Sequence, residues 1–202
     1  MHNDHGRLEL LINNAGIGTR SGGAQRRTSA EGYELRFAVN YLSGFLLTHP
    51  LLPLLRASPP ARIINVASAG QMPIDFSDVM RARSYDGIQA YGQSKLAQIM
   101  FTIDLAHELD GANITVNCLH PATYMATTMV REAGVAPAST VEEGAEAILK
   151  LVVSPELEGR SGLYFNQLQE ARAHPQAYDA SARPRLHKLS LELTGLAGSW
   201  WL

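Results

Sequence analysis

A tyrosine and a lysine stand four residues apart in the stretch "YGQSK", residues 91–95, inside a predicted helix. Side chains at this spacing share one helix face, so the Lys95 ammonium can lie beside the Tyr91 phenol. A free phenol has a pKa of about 10, and a cation within about 4–6 Å favours the phenolate. The pair can therefore give or take a proton. Ordinary amphipathic patterning explains the same spacing, and the rest of the chain has to separate the two interpretations.

Strands and helices alternate along the chain. Short apolar runs predict buried strands, and apolar residues at helical spacing predict the helices between them. The predicted strands are 8–13, 61–68, 113–121 and 161–166, and the predicted helices are 31–55, 88–110, 139–153 and 175–195. Pro53 and the pair Pro59–Pro60 should end the first helix, and Pro184 should interrupt the last. A capping box opens the third helix in either of two registers, from Ser139 or from Thr140. The alternation indicates βαβ units and a parallel sheet.

Small and polar residues follow three of these strands where each one ends. Residues 14–16 follow the first strand, Ser68 ends the second, and His120 with Pro121 ends the third. Ligands of parallel sheets sit at the carboxyl ends of the strands. These residues are therefore expected to meet Tyr91 at one edge of the sheet. His120 is a candidate acid, although a loop histidine is more often structural.

The composition indicates one soluble domain, residues 1–202. Hydrophobic residues make up 46% of the chain and charged residues 18%, with a formal net charge of −2. No basic run indicates nucleic acid, no apolar run is long enough to span a bilayer, and the first ten residues lack the apolar core of a secretory signal. The single cysteine, Cys118, cannot form an internal disulfide, which favours a reducing cytoplasm.

Five motifs give the chain a family resemblance. They are "NNAG" (13–16), "VNYLSG" (39–44), "INVASAG" (64–70), "YGQSK" (91–95) and "HPATYM" (120–125). In this order, and at these strand ends and helices, they resemble the short-chain dehydrogenase/reductase family over residues 8–130. The resemblance implies a Rossmann-like, doubly wound parallel sheet in three α/β/α layers.

The resemblance also implies a catalytic set and a nicotinamide site. The catalytic residues would be Asn40, Ser68, Tyr91 and Lys95, and the cofactor-binding residues Asn14, Ala15, Gly16, Tyr91, Lys95, Pro121, Thr123 and Thr127. Tyr91 would exchange a proton with the substrate oxygen, Ser68 would hydrogen-bond that oxygen, and Lys95 would bind the nicotinamide ribose. Asn40 would hold a water that links Lys95 to solvent. Either Thr127 or Thr128 would meet the carboxamide.

The family's first strands and their Gly-rich turn have no counterpart before residue 8 of this sequence. The segment "GIGTRSGG" (16–23) has glycines, but it follows the wrong strand. We therefore expect an N-terminally truncated form of the fold, with strand 8–13 at a sheet edge. Three explanations stay open: a natural start further upstream, a truncated and inert product, or a catalytically inactive binding or interaction protein that pairs through the exposed edge.

Two features resemble the retinol-dehydrogenase-like branch of the family: the 23-residue spacing from Ser68 to Tyr91 and the stretch "AYDASARPRLHKLSLELTG" (177–195). That branch implies a small hydrophobic carbonyl or alcohol as substrate, with either NAD or NADP as cofactor. Met125 and Met129 are candidates for an apolar substrate pocket, and core packing explains them equally well. Family members commonly pair through the two helices that match 31–55 and 88–110, which implies a homo-oligomer.

Overall fold

The computed structural model describes residues 6–20 and 25–196. Its sheet has five strands in the order β1-β2-β3-β4-β5. They are β1 (Leu10–Asn13), β2 (Ala61–Val66), β3 (Ile114–His120), β4 (Tyr164–Asn166) and β5 (Gln169–Ala171). The first four strands are parallel, and β5 runs antiparallel to β4. Parts of the first ten residues and of segment 16–23, on which two sequence predictions rest, lie outside the described residues.

Helices cover both faces of the sheet. They are α1 (Ser43–Arg56), α2 (Gly87–Glu108), α3 (Thr128–Glu132), α4 (Val141–Val153) and α5 (Ala182–Thr194). On one face Ile63 and Val116 join the core formed with α1 and α2, and on the other Ile64 and Leu119 pack against α4. Neighbouring residues of a strand point to opposite faces, so each strand supplies both cores. The parallel strands and the three layers confirm the predicted Rossmann-like α/β fold.

The carboxyl ends of β1, β2 and β3 lie at one edge of the sheet, as predicted, because the three strands are parallel and adjacent. A buried polar network joins them just below this edge. Asn13 Nδ2 donates to Asn65 Oδ1 at 2.8 Å and to Thr48 Oγ1 at 3.1 Å, and Asn65 Nδ2 donates to Thr102 Oγ1 at 2.8 Å. These bonds connect β1 and β2 to α1 and α2, and they fix the edge on which the candidate site is built.

The first helical region begins later than the sequence predicts, because residues 31–34 precede the helix. Its predicted end near residue 55 is confirmed, since α1 ends at Arg56, before Pro59–Pro60. Pro53 itself lies inside the helix and does not end it, because burial of the apolar face outweighs the missing backbone hydrogen bonds. The buried leucines of that face are Leu51, Leu52, Leu54 and Leu55.

Helix α2 is buried on nearly all sides from Ala90 to Ala106. Asp86 begins it, because its Oδ1 accepts the backbone N–H groups of Ile88 and Gln89. The sheet covers one side and α5 lies against the helix, with Arg183 paired to Asp104. A helix without a polar face is expected in such a position. Pairing of this helix with a second subunit stays a prediction, and its own chain already covers most of it.

Several details of the C-terminal half settle or correct the sequence predictions. Helix α4 uses the later register of the capping box, in which Thr140 Oγ1 accepts the Glu143 N–H at 3.1 Å. Strand β4 is shorter than predicted and β5 was missed, since three residues give no periodic signal. The break in the last helix lies at 179–181 rather than at Pro184, because α5 begins at Ala182 and a first-turn proline loses no helix hydrogen bond.

One helical stretch of 20 residues, Phe37–Arg56, has the length and apolar composition that would let it cross a membrane. More than half of its most apolar window, 56%, is buried inside this fold, as in the core helix of a globular protein. The predicted lack of a membrane span stays a prediction.

Candidate active site

The Ser68 hydroxyl and the Tyr91 phenol meet at the carboxyl edge of the sheet. Ser68 follows β2, Tyr91 lies in the first turns of α2, and both side chains border Gly70, where an added Cβ would lie 3.5 Å from Ser68 Oγ and 3.6 Å from Tyr91 Cε1. Ser68 Oγ accepts the Gly70 N–H at 3.0 Å, which fixes the serine rotamer. Burial raises the pKa of Tyr91, and the nearby Ser68 hydroxyl opposes that rise. The phenol is therefore protonated at neutral pH and can donate its proton to a ligand oxygen.

Lys95 lies one turn further along α2 and is only 4% exposed. Its Nζ donates to the Val66 carbonyl at 3.0 Å and to Gln98 Oε1 at 2.9 Å. The same nitrogen lies 5.8 Å from the centroid of the Tyr91 ring. Burial lowers the pKa of Lys95 to about 7, so the amine carries only part of a charge at neutral pH. Burial shifts both groups toward their neutral forms, and the expected effect of the Lys95 charge on the Tyr91 phenol stays a prediction.

Asn40 lies in a π-helical segment, Phe37–Leu42, that runs into α1. Local π-helical turns are frequent at functional sites. The Asn40 Oδ1 accepts the Ile17 N–H at 2.7 Å, while its Nδ2 donates to the Ile17 carbonyl at 3.2 Å and to Ser94 Oγ at 3.0 Å. The side chain thus fastens the loop after β1 to α2. Its role in a water relay stays a prediction.

The loop after β1 presents backbone toward this cluster. Asn14 and Ala15 are exposed, and Gly16 is half-buried. A Cβ added to Gly16 would lie 3.3 Å from Asn40 Oδ1 and 3.5 Å from Lys95 Nζ. Glycine therefore allows the close approach of this loop to both side chains. The structure thus brings Gly16 next to two of the predicted catalytic residues, Asn40 and Lys95. Asn14 and Ala15 lie beside them and are exposed to solvent.

The segment after β3 places its predicted residues differently. Pro121 is buried, and the His120 Nε2 lies 3.1 Å from Thr123 Oγ1. Burial, followed by the charge of Lys95, lowers the pKa of His120, so a neutral ring is expected rather than an acid. Thr123 is therefore connected to the cluster indirectly, through its contact with His120. Thr127 begins α3 and hydrogen-bonds within its own segment.

Residues of the C-terminal region support Ser68, and no motif predicted this contact. Gln71 Nε2 donates to the Ser68 carbonyl at 3.0 Å, and Gln71 Oε1 accepts the His174 N–H at 2.7 Å. Nearby, Gln176 Oε1 accepts the Ile74 N–H at 2.7 Å and its Nε2 donates to the carbonyl of the same residue. Two glutamines thus join the loop after β2 to residues 174–176. Glutamine in a loop is too common for this pairing to be predicted.

A buried arginine holds the outer part of the loop after β1. Arg36 donates to the carbonyls of Gly18 and Thr19, at 2.9 and 2.6 Å, and to the Tyr85 hydroxyl. Its Nη1 lies 3.4 Å from Glu34 Oε1. A fully buried arginine with a carboxylate and several oxygen acceptors is a paired structural cation. Its burial was not predictable from the sequence, because single charges in a helical pattern are usually solvated.

The strand-end cluster and the parallel sheet define a family. A model of the family described as "short chain dehydrogenase" matches residues 1–137. The chain therefore belongs to the short-chain dehydrogenase family, which confirms the resemblance inferred from its motifs.

Among curated relatives the chain is similar to retinol dehydrogenases. It is 38% identical to retinol dehydrogenase 14 of Homo sapiens over 94% of this chain and 60% of that protein. It is 37% identical to retinol dehydrogenase 13 of Mus musculus over 95% of this chain and 61% of that protein. The chain thus spans about 60% of the length of the curated relatives it matches. The predicted resemblance to this branch is confirmed.

Solved structures share the fold. An uncharacterised protein from Mycobacterium Paratuberculosis matches with a TM-score of 0.75 and 26% identity, over 96% of this chain and 69% of that one. The NADPH-bound carbonyl reductase from chicken fatty liver matches with a TM-score of 0.61 and 27% identity, over 86% of this chain and 68% of that one.

Proposed function

We propose that this chain carries the reaction centre of a nicotinamide-dependent oxidoreductase that interconverts a carbonyl compound and an alcohol, with Tyr91 as the general acid and base. The observation that carries the proposal is the meeting of Tyr91 and Ser68 beside Gly70 at the end of β2, with Lys95 Nζ 5.8 Å from the Tyr91 ring centroid on the next turn of the same helix. Membership of the short-chain dehydrogenase family supports it.

The residues present fit the nicotinamide end of such a cofactor. Gly16 leaves room above Asn40 and Lys95 that a Cβ would fill, and Asn14 and Ala15 leave polar backbone exposed beside it. When bound there, NAD or NADP exchanges hydride with the substrate carbon. Lys95 would donate a hydrogen bond to the ribose hydroxyls. The described residues do not distinguish NAD from NADP.

Tyr91 and Ser68 would act on the substrate oxygen. In the reducing direction the carbonyl oxygen gains negative charge, which the Ser68 hydroxyl would stabilise as a hydrogen-bond donor. The Tyr91 phenol would then deliver its proton to that oxygen. Burial keeps the phenol protonated because it raises the Tyr91 pKa, and this is the form that carbonyl reduction requires. In the oxidising direction Tyr91 would first have to lose its proton, and its phenolate oxygen would then take the proton of the alcohol; the raised pKa disfavours this form at neutral pH.

Two methionines support a small hydrophobic substrate. Met129 packs so closely on Gly18 that an added Cβ would lie 2.5 Å from its Cγ, and Met72 packs on Gly92 in the same way at 2.6 Å. Both side chains are half-buried and flank the loops that carry the cluster. Flexible thioethers adapt to apolar ligands of varied shape. Met125, the other candidate, packs on Gly144 of α4 instead.

Location and assembly stay predictions. A buried free thiol at Cys118 is consistent with a cytoplasmic location, and exposed Leu46 and Leu47 on α1 offer an apolar surface for a homo-oligomer.

The test is cofactor binding and turnover by the 202-residue chain. NADH and NADPH are titrated separately while their fluorescence is followed, and apolar aldehydes and ketones are then screened. Tyr91→Phe should reduce turnover by about 10²–10⁴-fold and leave cofactor binding and thermal stability close to the parent. Tyr33→Phe is the matched control, because it removes a hydroxyl that bonds the Leu193 carbonyl, away from the site.

Undiminished turnover in Tyr91→Phe would overturn the assigned role of this tyrosine. Absence of binding and turnover in a folded chain would favour the alternative, a catalytically inactive binding or interaction protein.

A further inference from the structure

We propose that Gln98 is a positioning residue that holds the Lys95 ammonium at the floor of the site. Its Oε1 accepts a hydrogen bond from Lys95 Nζ at 2.9 Å, and both side chains are 4% exposed. The second acceptor is the Val66 carbonyl at 3.0 Å. Because Lys95 offers only donors, the oxygen of the Gln98 amide has to face it.

The spacing of the two residues makes this contact local to α2. Gln98 follows Lys95 by three positions, so both side chains lie on one helix face. The Val66 carbonyl approaches from the end of β2. Lys95 is thus held between its own helix and the strand that leads to Ser68. A lysine side chain has four rotatable bonds, and two fixed acceptors restrict it to one orientation.

Among the described residues, the neighbours of Lys95 leave one of its N–H groups available to a ligand. The titratable groups that face it are Tyr91, from its own helix, and His120, from the end of β3. On the other side lie Gly16 and Asn40. An ammonium has three N–H groups, and the two acceptors within the described residues use two of them. The third is available on the side where Gly16 leaves space.

A neutral acceptor differs from a carboxylate in this position. A glutamate would form an ion pair and hold the lysine fully charged, whereas an amide oxygen orients the nitrogen and leaves its charge sensitive to what binds. Gln98 therefore fixes the position of the Lys95 nitrogen and leaves its protonation state free to change when a ligand binds. The effect on turnover rests on the proposed function, while the contact itself does not.

The experiment measures the titration of Lys95 directly by NMR of isotopically labelled lysine. The chain has only three lysines, Lys95, Lys150 and Lys188. The double substitution K150R/K188R therefore leaves a single lysine signal, without any need for activity. In this background Gln98→Met should lower the Lys95 pKa by about one unit, a tenfold change in the ratio of ammonium to amine, because one acceptor for the charged form is lost. Gln98→Glu should raise it.

The matched control is Gln93→Met on the same helix. Gln93 is equally buried, but its side chain bonds the Val79 carbonyl and does not contact Lys95. Circular dichroism establishes folding of each variant, and Gln98→Glu serves if Gln98→Met does not fold. Opposite shifts in the two Gln98 variants, with no shift in Gln93→Met, are the expected result. An unchanged Lys95 titration in both Gln98 variants, or an equal shift in Gln93→Met, would overturn the proposal.

Turnover gives a second measurement that depends on the proposed function. The pH profile of kcat/KM should move in opposite directions in Gln98→Met and Gln98→Glu, following the lysine. If neither the parent nor any variant turns over substrate, the proposed function fails. The NMR titration still shows whether Gln98 holds the Lys95 ammonium. If turnover is found and the pH profile of kcat/KM is the same in the parent and in both Gln98 variants, Gln98 does not act through Lys95.

Discussion

Arg36 and Lys95 are two buried cations with different partners. Arg36 is paired with the Glu34 carboxylate and donates to backbone carbonyls and to a tyrosine hydroxyl. Lys95 has two neutral acceptors, Val66 and Gln98, and burial lowers its pKa to about 7. A buried charge needs hydrogen bonds and a counter-charge to be stable, and only the arginine has both.

The difference in partners indicates a structural role for Arg36 and a chemical role for Lys95. The paired arginine fixes the loop that carries Gly18 and has little capacity left for a ligand. The lysine is held in place without being neutralised, and it lies beside Tyr91. A buried charge that lacks a counter-charge is a candidate for a functional site. Removing the carboxylate partner of Arg36 and removing the charge of Lys95 should therefore change stability in opposite directions.

The largest effect on stability is expected for Glu34→Ala. It leaves Arg36 buried without its carboxylate and removes the acceptor of the Phe37 N–H. We expect the free energy of unfolding in urea to fall by about 3–5 kcal/mol. The control Glu146→Ala removes an exposed carboxylate from α4 and should change stability by no more than about 0.5 kcal/mol. Similar losses of unfolding free energy in Glu34→Ala and Glu146→Ala would contradict the stabilising role of the Glu34 carboxylate beside Arg36.

Lys95→Met should have a smaller effect of opposite sign. Replacing a buried charge without a counter-ion by a packed apolar side chain is expected to raise the free energy of unfolding by about 1–4 kcal/mol at pH 7. Lys188→Met, at an exposed position of α5, is the control. Turnover should be lost in Lys95→Met alone.

The stability gain in Lys95→Met should depend on pH. Burial lowers the pKa of Lys95 from its usual 10.5 to about 7, so between these values the unfolded chain binds a proton that the folded chain does not. The contribution of Lys95 to stability therefore rises with pH in this range, and Lys95→Met should abolish that rise. Burial raises the pKa of Cys118 from 9.0 to about 12, which opposes the trend in more alkaline solution. Urea unfolding between pH 7 and pH 9 isolates the lysine, and parallel curves for parent and variant would contradict this account.

Gly16→Ala is expected to have the smallest effect on stability. The new methyl group would press on Asn40 and Lys95 at 3.3 and 3.5 Å, which should cost about 0.5–1 kcal/mol of unfolding free energy. Affinity for NADH or NADPH should fall by more, up to about 10²-fold, because the loop and Lys95 are displaced together. Gly6→Ala, where a Cβ meets open space, is the control. Unchanged cofactor affinity in Gly16→Ala would separate this loop from the cofactor site.

The sequence predicted the order of elements and the edge where the site lies. Long, strongly apolar runs such as 61–68 and 113–121 gave strands near the observed bounds, because burial on both faces leaves a clear pattern. The end of α1 was predicted to within a residue, but the part assigned to Pro53 was wrong, since local propensity cannot show that the packing of α1 tolerates a proline. Strand β5 is too short for any pattern. Where the structure differs, tertiary packing outweighs local signals.

Within the site, residue types were predictable and their electrostatic state was not. Spacing placed Tyr91 and Lys95 on one face of a helix, and strand order brought Ser68 to them. The raised pKa of Tyr91 depends on burial, which spacing does not report. Gln98 was within reach of sequence reasoning, because it lies on the same helix face as Lys95. Gln71 was not, because its partner is distant in the chain.

The glutamine bridges to the loop after β2 have a consequence for biosynthesis. They join residues 71–74 to 174–176, which lie 102 or 103 positions apart along the chain. A ribosome releases every motif residue of the cluster long before it releases the segment that supports Ser68. A nascent chain of 137 residues, the length matched by the family model, carries the whole motif set without this support. The hydrogen bonds that support the Ser68 loop can therefore form only after the C-terminal region has been synthesised.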